Sequence, residues 1–351
     1  MTRIYNILLW CRRLPVHLHS ARTVLIPKSK DPSFPADYQP ITVASTLVRG
    51  FHKVLAKRMN RLISLDERQR AFRATDGYAD NVFLLDHILR YHHTHHKTLY
   101  IASVDVAKAF DTVAHSAIMQ TLGARDCLEP MLGYLKSVYS DATTTITSDG
   151  WQSHAIHSRH GVRQGDPLSP CTFNMIVDRL LKSLPEEVGA DIDGVKVGAA
   201  AFADDLVLTA STIAGLQLLN SAAGFLASCG MSVNTGKSFR VSIGTVPRQK
   251  KTTVDQGTFL LGGQKLVAKK RTEHWKYLGV LFTPEGRMRF DTTTTLLNAL
   301  SKISKAPLKP QQRLFALRVY LLPGLYHAAS LGAIQVGTLK VSKSHTKSVT
   351  G

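Results

Sequence analysis

Apolar residues change their spacing along this chain in a way that marks out alternating strands and helices. Residues 23–27, TVLIP, form a short apolar run stopped by Pro27, which predicts a strand, and the turn-rich KSKDPSFPADYQP follows. Across residues 44–64, Leu47, Phe51, Val54, Leu55, Met59 and Leu62 recur at helical spacing with bases on the other face. DNVFLLDHILRYH (80–92) predicts a second amphipathic helix. The period then shortens. TLYIASVDV (98–106) reads as a strand ending on Asp105, and a helix is expected from about Lys108 through Gly123, with Gly123 as its cap. Residues 142–158 are two β-rich runs around Asp149-Gly150, a hairpin signal.

SPCTFNMIVDRLLKSL (169–184) predicts a helix, and residues 195–210 are again two apolar runs, hinged at Ala203-Asp204. A helix over 213–230 is closed by Gly230, and two further hairpins turn at Gly262-Gly263 and Pro284-Glu285-Gly286. Past residue 290 the pattern is helical and basic, and the segment from 336 to 351 reads as a disordered or truncated tail. Strands alternate with helices, but hairpins join some of them. The pattern therefore indicates an α+β fold with antiparallel pairing, and no internal repeat is present.

Composition adds a partner class. The 351 residues are 44% hydrophobic, enough for a sizeable core and, by length, two or three domains. Lys and Arg number 44 against 25 Asp and Glu, a formal charge of +19. Such an excess points to a polyanion, although a merely soluble basic protein stays open on charge alone. Four cysteines (Cys11, Cys127, Cys171, Cys229) are widely separated with no Cys-x-x-Cys pair. This argues against a zinc knuckle or disulfide framework and fits a reducing compartment. The opening MTRIYNILLWCRRLPVHLHS is interrupted by Arg3, Arg12 and Arg13 and lacks a small-residue cleavage site, so no signal peptide is expected. No apolar run reaches the length of a membrane span. The cluster YHHTHHK (91–97) suggests metal binding, but a solvated helix end is the better reading.

The candidate chemistry lies at two junctions. Asp105 ends a strand before a helix, and Asp204 and Asp205 sit at a hairpin tip, positions where carboxylates are held rigidly yet exposed. If the strands are neighbours, three like charges meet and raise each other's pKa, a cost that divalent cations remove. Mg²⁺ prefers carboxylate and phosphate oxygens, and two ions clamp the attacking and leaving oxygens of phosphoryl transfer. Taken alone, Asp-Asp in a turn is usually just a turn, and a metal-dependent glycosyltransferase site also stays open.

The stretch RHGVRQGDPLSPCTFNMIVDRLL (159–181) decides between these. SVDVAKAFDTVAH, GVRQGDPLSP within this stretch, AFADD, GMSVNTGKS and WKYLGVLF, in that order along the chain, resemble the successive palm motifs of reverse transcriptases of the non-LTR (LINE-like) retrotransposon branch. DERQRAF and FADD point towards the elements that insert into ribosomal RNA genes. The likeness covers roughly residues 20–290. It implies a right-hand polymerase, with fingers over 1–97, a palm over 98–290 including a primer-grip hairpin at Tyr277, Leu278 and Gly279, and a partial helical thumb over 291–335.

The resemblance further implies RNA-directed DNA synthesis by target-primed retrotransposition, with an RNA template, a DNA primer or target, deoxynucleoside triphosphates and two Mg²⁺ ions, for which Mn²⁺ can substitute. Asp105, Asp204 and Asp205, with the Val106 carbonyl, correspond to the metal ligands. Phe110 corresponds to the aromatic under the sugar, which excludes a 2′-hydroxyl. Gln164 and Gly165 correspond to the turn against template base and nucleotide. Lys237 corresponds to the proton donor for pyrophosphate, and Lys28 to a triphosphate contact; without the motifs, Phe110 reads as core and Lys237 as a solvated charge.

One departure stands out: DYQPITV places Gln39 where the family has Arg, and Gln supplies neither charge nor fork. Weakened triphosphate affinity is expected unless a neighbour such as Arg22 or Lys30 compensates; the alternative is a catalytically weakened nucleic-acid-binding remnant of a degenerate copy. An RNA-dependent RNA polymerase is disfavoured by Phe110 and by Ala-Asp-Asp. From Lys265 to Arg318, twelve Lys or Arg face three acids (Glu273, Glu285, Asp291), a composition suited to gripping a duplex backbone. The chain reads as a fragment whose endonuclease lies elsewhere in a parent polyprotein, acting in the nucleus after cytoplasmic assembly on RNA.

Overall fold

A computed structural model describes residues 1–125, 127–148, 150–246, 251–254, 259–288 and 292–332. Asp149 of the expected hairpin turn and the expected tail from 336 onward lie outside the described residues. The chain forms two compact units, each drawn from separate stretches. The first takes the described residues of Met1–Gly77, Tyr100–Arg240 and Thr258–Val267; the second takes those of Tyr78–Leu99, Val241–Gly257 and the stretch from Ala268 onward.

Two groups of strands in the first unit position the site. In one, Ser20–Pro27 pairs antiparallel with Tyr38–Val43 and parallel with Thr143–Ser148. Thr143–Ser148 also pairs with Trp151–Gln152 and Ile156–His157. In the other, Asp205–Ala210 pairs antiparallel with both Leu99–Asp105 and Ala199–Phe202. Ala102, Val104, Leu206 and Leu208 bury against Phe173, Ile176 and Leu180 of the helix Ser169–Ser183. That helix is buried nearly all round, as expected for a central helix. Phe51, Leu55 and Met59 of the helix Thr46–Leu62 complete the same core. Ser45 caps it by accepting the Val48 N–H at 3.3 Å.

Two expected helices are each broken. The helix expected over 108–123 is Ala109–Thr112 followed by His115–Gly123. Between them, the Val113 carbonyl accepts the Gly161 N–H at 2.7 Å and the Ala114 N–H donates to the Cys229 carbonyl at 2.8 Å. These tertiary bonds take backbone groups that a continuous helix would use. The 213–230 helix likewise divides into Ile213–Leu218 and Ser221–Ser228. Between the halves, Asn220 accepts the Gly262 N–H through its side chain at 2.7 Å.

The second unit contains the helix Gly77–Thr94, the antiparallel strands Trp275–Tyr277, Val280–Thr283 and Gly286–Arg287, and the helices Thr292–Lys305, Pro310–Ala316 and Leu322–Leu331. Leu300 and Leu317 form a small core of their own. Asp86 anchors the hairpin. Its Oδ1 accepts the Arg287 N–H at 2.7 Å and Arg90 Nε at 3.0 Å. A Cβ at Gly286 would lie 2.7 Å from that oxygen, and its φ of +119° is open to glycine.

The histidine cluster is not a wholly solvated helix end: His92 is buried, with Nδ1 donating to the Ile88 carbonyl at 2.8 Å, while His95 and His96 are exposed. The helical period turns residue 92 inward. Among the described residues, no helix is long and apolar enough to cross a membrane.

Candidate functional site

Strand pairing brings the acidic residues together. In the antiparallel register Asp205 stands opposite Asp105, and opposite Phe202 on its other side. Ala203 and Asp204 make the two-residue turn between these strands, with Ala203 at φ +55°. Like charges directly opposite in a ladder repel, and nothing near by neutralises them fully. Burial raises the Asp204 carboxyl above the usual range and repulsion from Asp105 adds to this, while Lys237 opposes it. Asp205 is pushed up to about 6 by desolvation at the sheet, then by repulsion from Asp204 and Asp105, again against the pull of Lys237. Among the described residues, no lysine or arginine forms a salt bridge with any of the three.

The loop carrying Lys237 is tied to the Asp105 strand. Asp105 donates its N–H to Ser238 Oγ at 3.0 Å and accepts the Asn234 N–H at its carbonyl at 2.8 Å. The Ala107 N–H donates to the Ser232 carbonyl at 2.8 Å. Because these neighbours bond to the 232–234 segment, the carbonyl of Val106 between them faces the other way and accepts no hydrogen bond among the described residues. Carboxylates and a free carbonyl are hard oxygen donors, the set that Mg²⁺ or Mn²⁺ takes when substrate and water complete the coordination. Among the described residues, no three His, Cys, Asp or Glu side chains are arranged to hold an ion unaided. The donor set fits a divalent cation.

A cavity of about 410 Å³ adjoins the carboxylates, lined by Gln39, Ile41, Lys108, Ala109, Phe110, Gln164, Gly165 and Asp204. Phe110 presents one side to this space and stacks on Phe173, centroids 4.5 Å apart, so it is both cavity wall and core. Gly165 has φ +101°, and a Cβ there would lie 2.8 Å from the Thr42 carbonyl. Only glycine lets this turn press so close to the strand. The Thr42 N–H in turn donates to the Gln164 carbonyl at 2.7 Å. Gln39 Nε2 donates to Gln164 Oε1 at 3.4 Å, closing a polar wall.

With this geometry in view, the comparison with known families is decisive. The sequence model of the reverse transcriptase (RNA-dependent DNA polymerase) family matches residues 26–282, well over half of the chain. The chain belongs to this family. It is similar to a Pol polyprotein of the type-2 retrotransposable element R2DM from Drosophila melanogaster, 46% identical over 97% of this chain and 32% of that protein. A Pol polyprotein of a type-1 retrotransposable element R2 from Nasonia vitripennis is 36% identical over 94% of this chain and 32% of its own length. The chain thus spans about a third of these curated relatives. The polymerase fold is shared with apo telomerase from Candida tropicalis, TM-score 0.54 at 11% identity, covering 94% of this chain and 62% of that one. Telomerase from Candida albicans gives 0.50 at 14% identity, covering 99% and 59%.

Within this reverse transcriptase domain the structure gathers Asp105, Val106, Asp204, Asp205 and Lys237 at one place and Gln39, Phe110, Gln164 and Gly165 around the adjoining cavity. Lys28 is not brought there; it is exposed, with Nζ donating to the Ala36 carbonyl at 3.3 Å. Among the described residues, Arg22 and Lys30 do not line the cavity, and the cation that does is Lys108. Lys108, at φ +46° before a short helix, sits inside SVDVAKAFDTVAH, but nothing in its spacing marks it as facing a ligand. Asp111 was equally unmarked. It accepts Gln164 Nε2 at 2.7 Å.

Proposed function

We propose that this chain catalyses RNA-directed DNA synthesis for a retrotransposable element, extending a DNA 3′-hydroxyl with deoxynucleotides on an RNA template in target-primed retrotransposition. The observation that carries this is the convergence of Asp105 and Asp204 beside a cavity walled by Phe110, Gln164 and Gly165. Two Mg²⁺ ions, or Mn²⁺ in their place, would supply charge stabilisation at the attacking and leaving oxygens. Asp105, Asp204 and the Val106 carbonyl would hold them, and Asp205 would complete the field. Lys237 stands where it can pass a proton to departing pyrophosphate. Phe110 floors the sugar position and leaves no room for a 2′-hydroxyl. Gln164 and Gly165 form the wall against base and nucleotide.

In this reading residues 1–97 act as fingers, 98–290 as palm and 291–335 as a partial thumb, and the basic stretch from Lys265 to Arg318 grips the duplex backbone without reading sequence. The element would act in the nucleus after assembly on its RNA in the cytoplasm. A second reading, a catalytically weakened nucleic-acid-binding remnant, rests on Gln39, which brings no charge to the cavity. Extension of a DNA primer annealed to RNA, with and without Mg²⁺ or Mn²⁺, decides between them. The polymerase reading expects metal-dependent extension that drops below about a thousandth in Asp105→Asn or Asp204→Asn, with primer–template binding kept. Binding without extension by the parent chain supports the remnant.

A further inference from the structure

The turn that presents Asp204 is held from a distant part of the chain. Ala203, the residue before it, has φ +55°, a region that L side chains other than asparagine and aspartate rarely enter. Gln69 is wholly buried, at 0% exposure. Its Oε1 accepts the Ala203 N–H at 3.1 Å, and its Nε2 donates to the Ala203 carbonyl at 3.3 Å. One side-chain amide thus satisfies both main-chain groups of the strained residue. The same Oε1 also accepts the Ala71 N–H at 3.0 Å, which fixes the amide itself.

The backbone around Gln69 follows the hairpin. The Ala201 N–H donates to the Arg68 carbonyl at 2.8 Å, and the Arg70 N–H donates to the Ala201 carbonyl at 3.0 Å. This strap is anchored in turn to the helix Ser169–Ser183. Asn174 Nδ2 donates to the Ala71 carbonyl at 2.8 Å, and the Asp66 N–H donates to Asp178. The helix begins four residues after Gly165. The strap therefore connects the hairpin bearing Asp204 with the element that follows the cavity turn.

We infer that Gln69 is a positioning residue for this polymerase site, clamping the Ala203 peptide so that Asp204 faces the cavity. It touches no reacting atom. The clamp needs a donor and an acceptor on one planar group at a fixed reach. Asparagine is a methylene short, ionised glutamate loses the donor, and methionine fills the volume but leaves both Ala203 groups buried and unpaired. The inference rests on the polymerase reading for its functional meaning, but the clamp itself has a readout that needs no activity.

The test compares the parent chain with Gln69→Met, Ala203→Gly and the double variant. In Gln69→Met, the Ala203 amide should exchange hydrogen faster, read in a peptide spanning 199–206, while protection within 205–210 persists. The kcat of primer extension should fall up to about a hundredfold, the scale of a small misplacement of a reacting group. KM for the nucleotide should stay within about twofold, since Gln69 does not line the cavity. Glycine holds positive φ without strain, so Gln69→Met should cost clearly less in the Ala203→Gly background, a coupling that separates a clamp from general packing. If Gln69→Met does not fold, Gln69→Asn, which keeps donor and acceptor but is a methylene short of the Ala203 peptide, carries the same comparison. Unchanged exchange at Ala203, or equal losses in both backgrounds, overturns the clamp. A parent chain that extends no primer overturns the polymerase reading, and the exchange measurement still decides the clamp.

Discussion

Gln164 gives its side-chain N–H to Asp111 at 2.7 Å, and this bond fixes which way the cavity wall points. The acceptor is a carboxylate, so the bond belongs to the stronger, charge-assisted kind. Asp111→Leu keeps the bulk but removes the acceptor, and the freed Gln164 can then swing out of the cavity wall. The expected result is a fall of about tenfold in kcat/KM for a single deoxynucleotide, mostly in KM. Single-nucleotide extension across a concentration series measures it, and an unaltered KM would show that the wall is held by the Thr42–Gln164 backbone bond alone.

Lys108 and Gln39 share the cavity, and only Lys108 is charged. Lys108→Ala should raise KM for the deoxynucleotide by about tenfold, the loss expected when one phosphate-facing cation disappears. Lys28→Ala, Arg22→Ala and Lys30→Ala should each change it by less than about twofold, because none of the three lines the cavity. Gln39→Arg should lower KM by restoring a guanidinium fork. The five constants come from one steady-state assay. A larger effect at Lys28 than at Lys108 would reassign the triphosphate contact.

Phe110 divides its faces between the cavity and Phe173. Phe110→Val should admit ribonucleotides, since the clash with a 2′-hydroxyl is removed and the cost of the wrong substrate falls. The ratio of kcat/KM for deoxy- over ribonucleotides should drop while deoxynucleotide use declines only modestly. Melting should also shift down, because part of a stacked core pair is lost. A lower melting temperature with an unchanged ratio would leave Phe110 as packing only.

The Asp86 carboxyl offers a test of the hairpin anchor. Burial alone would raise its pKa, but the Arg287 N–H and the Arg90 side chain outweigh that and hold it below the ordinary 3.8. The folded chain thus binds this proton less tightly than the unfolded chain, so the stabilisation is fully present above pH 3.8 and is lost as pH falls through the lowered folded value. Asp86→Asn should therefore lower the melting temperature by a constant amount from neutral pH down to about 4, and the gap should narrow in more acid solution. A gap that widens on acidification would contradict the assignment.

Much of the candidate site's make-up was legible in the residues. Strand endings at Asp105 and the Ala203-Asp204 hinge follow from apolar runs that stop on charge, and the ordered motifs name the family before any coordinate. The broken helices were not legible. Helical spacing runs straight through Val113-Ala114 and through Leu219-Asn220; at the first break the Val113 carbonyl and the Ala114 N–H bond to Gly161 and Cys229, and at the second the Asn220 side chain accepts the Gly262 N–H, partners that lie far along the chain. Lys28 illustrates the same limit, because a motif position specifies a residue and not where its side chain ends.

By itself, the sequence determined the alternation of strands and helices, the three carboxylates, the glycine at 165 and the excess of positive charge. These are local properties, written in spacing and residue type. The tertiary structure decided which of them meet. It set Asp205 opposite Asp105 through strand register, chose Lys108 over Arg22 and Lys30 as the cation of the cavity, and bound Gln69 to the Ala203 peptide across 134 positions of chain. Contacts of that span arise only when the whole core closes, because buried amides must find partners wherever the packing places them.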